Sequence, residues 1–267
     1  MISWRVGTVV GLGRRWAGAV ELEVRVTGHA QPEAAEGALV RALAHPPLVG
    51  EPALGDRVLL NVSALRRGLG TGGYALVTAI PDRLPPDPPP GPGHLVKARY
   101  SPLQALVLGA DEQESEHHPL LADADDLDGM PVVVADLHSA LPAVLAGARH
   151  AAREAGPSPP RAVYGMTDGG ALPLWYSRAV AALRDAGWLA GSVTVGQAFG
   201  GDLEAVTVHT GLLAARLVQG ADLAVVAQGP GNLGTGTRWG FSGVAAGDAV
   251  NAVGGLGGRA VAALRVS

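Results

Sequence analysis

Two side chains capable of acid–base or metal chemistry, Asp136 and His138, follow an apolar run at 131–135. A carboxylate two residues from an imidazole can ligate a metal ion or move a proton near neutral pH. The same pattern suits the start of a helix, because Asp136 or Ser139 could accept hydrogen bonds from the first backbone N–H groups. The pair therefore predicts either a catalytic position or an ordinary helix cap.

A second carboxylate, Asp168, follows the apolar run 162–166 and precedes two glycines. The glycines would let the backbone approach a substrate while Asp168 points at it. A plain Asp-Gly turn would account for the same residues without a ligand. Hydrolysis or group transfer is the chemistry that these groups could perform. The candidate catalytic residues are Asp136, His138 and Asp168.

The segment 229–237 is rich in glycine. Backbone N–H groups of a glycine loop ahead of a helix form an anion cradle, and Arg238 could add charge. Thr235 stands where a Walker lysine belongs and no Gly-x-Gly-x-x-Gly follows the first strand, so this is neither a P-loop nor a dinucleotide fingerprint. The segment predicts a site for a small polar or anionic molecule, or a structural loop. The candidate ligand-binding residues are Gly169, Gly170, Gln197, Gly200, Gly201, Gln228, Gly229, Gly231, Asn232, Gly234, Thr235, Gly236, Thr237 and Arg238.

The loop after the apolar run 192–195 leads into a segment of helical length at 203–219. Asp202 is most simply the N-cap of that helix, and His209 could face either a crevice or the core. Both are secondary candidates for the site.

Apolar runs alternate with segments of helical length throughout 97–267, which predicts an α/β domain. Near-continuous Val, Ala and Leu content indicates strands buried on both faces, as in a Rossmann-like, mostly parallel sandwich. Right-handed crossovers bring the carboxyl ends of such strands to one edge, so four of the polar loops should meet there. The predicted strands are 103–108, 131–135, 162–166, 192–195, 223–227 and 260–266, and the helices are about 140–155, 172–187, 203–219 and 242–253.

The first 80 residues have a period of two instead. Apolar Val20, Leu22, Val24 and Val26 alternate with charged residues, and several similar runs separated by turns predict a small five-stranded antiparallel β-barrel at 1–80. Seven prolines at 81–93 indicate a stiff linker, which we place at 81–96.

An acidic insertion at 109–130 carries eight acids and no Lys or Arg. Because it follows a predicted strand, it could be a lid over the crevice, a divalent-cation site helped by His117 and His118, or a surface for a basic partner. A solvated acidic loop is the simpler interpretation.

Composition narrows the function classes. The net charge of −4 gives no overall attraction to nucleic acid, and the absence of cysteine excludes disulfides and thiolate sites. No transmembrane run or signal peptide is seen, so a cytoplasmic protein without membrane partners is expected. The alternative function is a noncatalytic sensor or assembly module in which the acidic insertion and the arginine-bearing barrel contact protein or nucleic-acid partners, with nucleic acid the less favoured of the two. A homodimer is compatible with a two-domain chain of this kind.

Several longer segments resemble a bacterial protein family of unknown function. They are 4–10, 55–61, 135–142, 201–211 and 228–237, and the resemblance covers nearly the whole chain. It implies no established activity, substrate or cofactor. It also implies that family members continue beyond residue 267.

Overall fold

A computed structural model describes residues 2–29, 37–70, 72–156 and 158–265. It divides into two compact units, Met1–Pro90 and Gly91–Ser267. Across the described ranges, no helix has both the length and the apolar character needed to cross a membrane.

The elements of the first unit are β1 (Trp4–Trp16), β2 (Ala19–His29), β3 (Leu39–Ala44), α1 (Pro46–Val49), β4 (Arg57–Asn61), α2 (Ser63–Arg66) and β5 (Ala75–Ala79). The five strands form a closed barrel with the order β1-β2-β3-β5-β4. The inward-facing residues predicted from the period of two, such as Leu22 and Val24, are buried. All strand pairs are antiparallel except β3 with β5, which is parallel and corrects the all-antiparallel prediction.

Several barrel arginines are paired with acids of the same unit. Arg14 donates two hydrogen bonds to Glu21, and Arg57 pairs with Asp82. The Arg14 guanidinium lowers the pKa of Glu21 to about 2. These arginines are therefore partly neutralised where they lie.

The second unit contains the remaining elements. They are β6 (Leu95–Lys97), β7 (Ala105–Val107), α3 (His118–Leu121), β8 (Pro131–Val134), α4 (Leu141–Ala155), β9 (Ala162–Thr167), α5 (Arg178–Asp185), β10 (Gly191–Thr194), β11 (Leu203–Glu204), α6 (Val208–Leu213), β12 (Leu223–Gln228), α7 (Ala246–Gly255) and β13 (Arg259–Ala262). A π-helical turn, Ala214–Val218, extends α6, and 3-10 turns lie at His138–Ala140, Leu174–Tyr176 and Ser242–Ala245.

Strands β8 to β13 form a six-stranded parallel sheet with the order β11-β10-β9-β12-β8-β13. Two consecutive residues of β9 show that helices cover both faces of the sheet. Val163 packs with α6 and α7, whereas Tyr164 packs with α4 and α5 on the opposite face. The predicted α/β sandwich with an N-terminal barrel is confirmed.

Two predicted elements of this unit are wrong. The run 103–108 is not a strand of the parallel sheet, because β7 pairs antiparallel with β6 in a separate ribbon and Leu106 is 67% exposed. The segment 203–219 is not one helix, because it begins with the edge strand β11. Of the predicted strand 260–266, residue 266 lies outside the described part of the chain.

Candidate functional site at the strand ends

The carboxyl ends of β8 and β12 flank an open crevice where the connections of the sheet diverge. From β8 the chain crosses to β9 through α4 on one face, and from β12 it crosses to β13 through α7 on the other. Ligands of open α/β sheets bind at such a divergence. The crevice is lined by Val134, Ala135, Asp136, Thr167, Val226, Ala227, Gln228, Ser242, Gly243, Ala245, Ala246 and Ala249.

Two residues that line this crevice carry a hydrogen-bond acceptor without a partner among the described residues. The Asp136 carboxylate is half-buried and makes no hydrogen bond or ion pair with them. Gln228 is 4% exposed and its Nε2 donates to the Asp136 backbone carbonyl (2.8 Å) and to Asn232 Oδ1 (2.9 Å). Its Oε1 is buried without a partner, directly against Gly169. A buried acceptor left unpaired costs roughly 1–3 kcal/mol, which a donor on a ligand would recover.

Hydrogen bonds connect the loops that follow four strands. Gln228 joins the loop after β8 to the end of β12, as described above. The Ala171 N–H donates to the Pro230 carbonyl (2.8 Å), which joins the loops after β9 and β12. The Gln197 N–H donates to Asp168 Oδ2 (2.8 Å), which joins the loops after β9 and β10. The structure thus brings Asp136, Asp168, Gln197 and Gln228 to one edge.

The close approach of these loops depends on Gly170. A Cβ there would lie 2.6 Å from the Gly231 carbonyl oxygen and closer still to that of Gly229. We expect Gly170→Ala to lower the free energy of unfolding by about 1–3 kcal/mol, because backbone atoms would have to shift. Gly247→Ala is the matched control, since Gly247 lies in α7 with open space around it and should gain about 0.5–1 kcal/mol. Urea titration of both variants measures the difference, and equal stabilities would contradict the packing argument.

His138 does not line the crevice. It is 9% exposed, its Nδ1 lies 2.9 Å from the Tyr164 hydroxyl and its Nε2 lies 2.6 Å from Ser177 Oγ. The Tyr164 hydroxyl donates in turn to the backbone carbonyl of Gln228 (3.0 Å). Burial lowers the pKa of His138 to about 4, so the imidazole is neutral at physiological pH. It links the starts of α4 and α5 to the end of β12.

The helix-cap interpretations also need correction. Neither Asp136 nor Ser139 caps the turn at 138–140 or α4. Asp202 is not an N-cap, because α6 begins later and is capped by the Thr207 hydroxyl. The Asp202 carboxylate instead accepts from the Ser192 backbone and side chain and pairs with an arginine of α5. His209 is exposed on α6.

The predicted anion cradle at 229–237 takes a different form. Residues 233–242 fold back on themselves, with Thr235 N–H donating to the Gly240 carbonyl and Ser242 N–H donating to the Leu233 carbonyl. These two N–H groups are therefore already hydrogen-bonded within the segment and do not point at a ligand. Gly234, Thr235, Gly236, Thr237 and Arg238 are exposed on this projection, outside the lining of the crevice.

Lys97, the only lysine of the chain, is not among the candidate residues predicted from the sequence. Its side chain is buried at the carboxyl end of β10, where Nζ donates to the carbonyls of Ala205 (2.8 Å), Ala198 (3.0 Å) and Thr194 (3.4 Å). The Glu204 carboxylate lies 3.4 Å away. Burial lowers the pKa of Lys97 and raises that of Glu204, and each charge offsets the shift of the other. The signal for Lys97 in the sequence is that it is the one lysine of the chain.

No residue of the acidic insertion lines the crevice. Leu127 is buried in the core and its N–H bonds to the end of α7, so the insertion ends at the amino edge of β8, opposite the crevice. Glu112 is buried and accepts from the backbone N–H of Gly109, and His118 Nδ1 bonds to the Asp111 carbonyl. Within the ranges that the structure describes, no three His, Asp or Glu side chains are placed to hold a metal ion.

Fold and site together define a doubly wound α/β domain with a polar crevice at its strand ends. The family model described as Protein of unknown function (DUF3866) matches residues 41–267. The chain belongs to this family, which confirms the resemblance to an uncharacterised family. No curated protein and no solved structure matched the chain.

Proposed function

We propose that the crevice between β8 and β12 binds a small polar molecule that donates hydrogen bonds through hydroxyl or amino groups. The observation that carries this proposal is the buried, unpaired Oε1 of Gln228, a residue that lines the crevice together with Asp136, whose carboxylate has no partner among the described residues. Both groups accept hydrogen bonds, and no lysine or arginine lines the described crevice. This composition favours a donor ligand over an anion.

The same proposal extends to an enzymatic activity, that of a hydrolase or group transferase. Asp136 is the crevice side chain that could accept a proton from a bound hydroxyl or water. His138 is not assigned this role, because both ring nitrogens are engaged in the interior. Asp168 holds the neighbouring loop through Gln197 and would act by positioning.

A thermal-shift panel tests the proposal. The probes are erythritol, glucose, glycine and putrescine as donors, with sodium phosphate as the anion, all at millimolar concentration. A donor that binds only the folded state at a hundred times its Kd adds about 2.7 kcal/mol, a Tm rise of several degrees. We expect a donor to produce this rise, and we expect Asp136→Asn to reduce it.

The control variant is Asp248→Asn, which removes a carboxylate exposed on α7 and should leave the rise unchanged. Stabilisation by phosphate alone, or an equal rise in Asp136→Asn and the wild type, would contradict the proposal.

A further inference from the structure

A strained turn at residues 97–101 lies beside the Gln197 loop, at the same edge of the sheet as the crevice. Ala98 has a φ of 50° and Tyr100 a φ of 59°, and Asp128 is the only other non-glycine residue with positive φ in the described chain. An L-residue in this left-handed region costs roughly 1–2 kcal/mol. Two such residues so close together require a surrounding structure that holds them in place.

The surroundings supply that restraint. The Arg99 N–H donates to Gln197 Oε1 (2.8 Å), and Ser101 Oγ donates to the Ala98 carbonyl (2.7 Å). At the start of the turn, the Lys97 ammonium is fixed by the three carbonyls described above. The turn is therefore anchored at its start, its middle and its end.

The turn presents a cation and an aromatic ring to solvent. The Arg99 guanidinium lies 4.9 Å from the centroid of the Tyr100 ring, and the Tyr100 residue is 86% exposed. Arg99 has no acidic partner among the described residues, and its guanidinium donates to the Tyr100 hydroxyl. The exposed Tyr100 ring adds little to the packing of the fold, although the backbone that presents it is strained.

We propose that Arg99 and Tyr100 form a recognition site for a planar ring that carries an anionic group, such as a nucleobase bearing a phosphate. The ring would stack on Tyr100 or on the guanidinium plane, and the anion would pair with Arg99. This site is separate from the crevice and does not depend on its occupation.

Isothermal titration with AMP, GMP and 4-hydroxybenzoate tests the proposal, with inorganic phosphate and adenosine as partial ligands. We expect at least one ring-bearing anion to bind saturably, and phosphate or adenosine alone to bind at least tenfold more weakly. Arg99→Gln and Tyr100→Leu should each weaken that binding at least tenfold, whereas Arg153→Gln, an exposed arginine of α4, should not.

Tyr100→Gly separates a recognition role from a structural one. Glycine tolerates positive φ, so this variant should raise the Tm while abolishing binding. Asp136→Asn should leave binding of the ring-bearing anion unchanged, which keeps this result distinct from the crevice experiment. No saturable binding of any of the three anions, equal affinity in Arg99→Gln, or binding of a single-stranded oligonucleotide alone would overturn the proposal.

Discussion

Lys97→Met should lower the free energy of unfolding by about 3–5 kcal/mol, the cost of removing one partner from a buried ion pair. The loss has two sources in this structure. Glu204 is left in the interior without its counter-charge, and three backbone carbonyls lose their common donor. Thr194 Oγ1 and the Gly200 N–H still donate to Glu204, which limits the damage but does not replace the charge.

Urea unfolding of single and double variants measures this effect. Adding Glu204→Gln to Lys97→Met should recover part of the loss, because no unpaired charge remains buried. The exposed pair between Arg184 and Asp202 is the comparison, and Arg184→Met should cost no more than about 1 kcal/mol. A loss below 1 kcal/mol for Lys97→Met would show that the buried pair does not hold this edge of the sheet.

Acid should destabilise the protein through His138. Burial holds the pKa of this imidazole at about 4 in the folded chain, against 6.5 when it is exposed. The contribution of this imidazole to the free energy of unfolding is fully present above pH 6.5. It is lost as the pH falls towards 4, because the unfolded chain takes up the proton first. The difference corresponds to about 3 kcal/mol by pH 4.

Other groups titrate over the same range, so the measured quantity is the difference between variants. Between pH 7 and pH 4, the free energy of unfolding should fall by about 3 kcal/mol less in His138→Gln than in the wild type. His150→Gln removes an exposed histidine of α4 and should behave as the wild type. An identical pH dependence in His138→Gln would mean that the imidazole is not buried in its neutral form.

Much of the architecture could be predicted because period and composition are local properties. The alternation at Leu22 and Val24 requires a strand with one buried face, and the continuous runs such as 223–227 require strands covered on both. The run 103–108 was misassigned for the same reason. A short apolar run does not reveal its partner, and here the partner is the nearby strand β6.

The candidate site was predictable only in outline. Strand ends converge in any parallel sheet, so the edge could be located from the sequence, but which side chains face the crevice depends on local turns. The 3-10 turn at His138–Ala140 sends His138 into the interior while Asp136 lines the crevice. The contacts of Lys97 could not be predicted, because its carbonyl partners lie about a hundred residues away in the chain.

The most direct test of the crevice is an NMR titration that follows side-chain carboxamide resonances. Gln228 and Gln219 each have a buried Oε1 without a partner among the described residues, but Gln219 bonds to Ser192 at the amino end of β10. With the hydroxyl and amino probes named above, the Gln228 N–H signals should shift saturably while those of Gln219 stay fixed. Saturable binding that leaves Gln228 unchanged would contradict the proposed site.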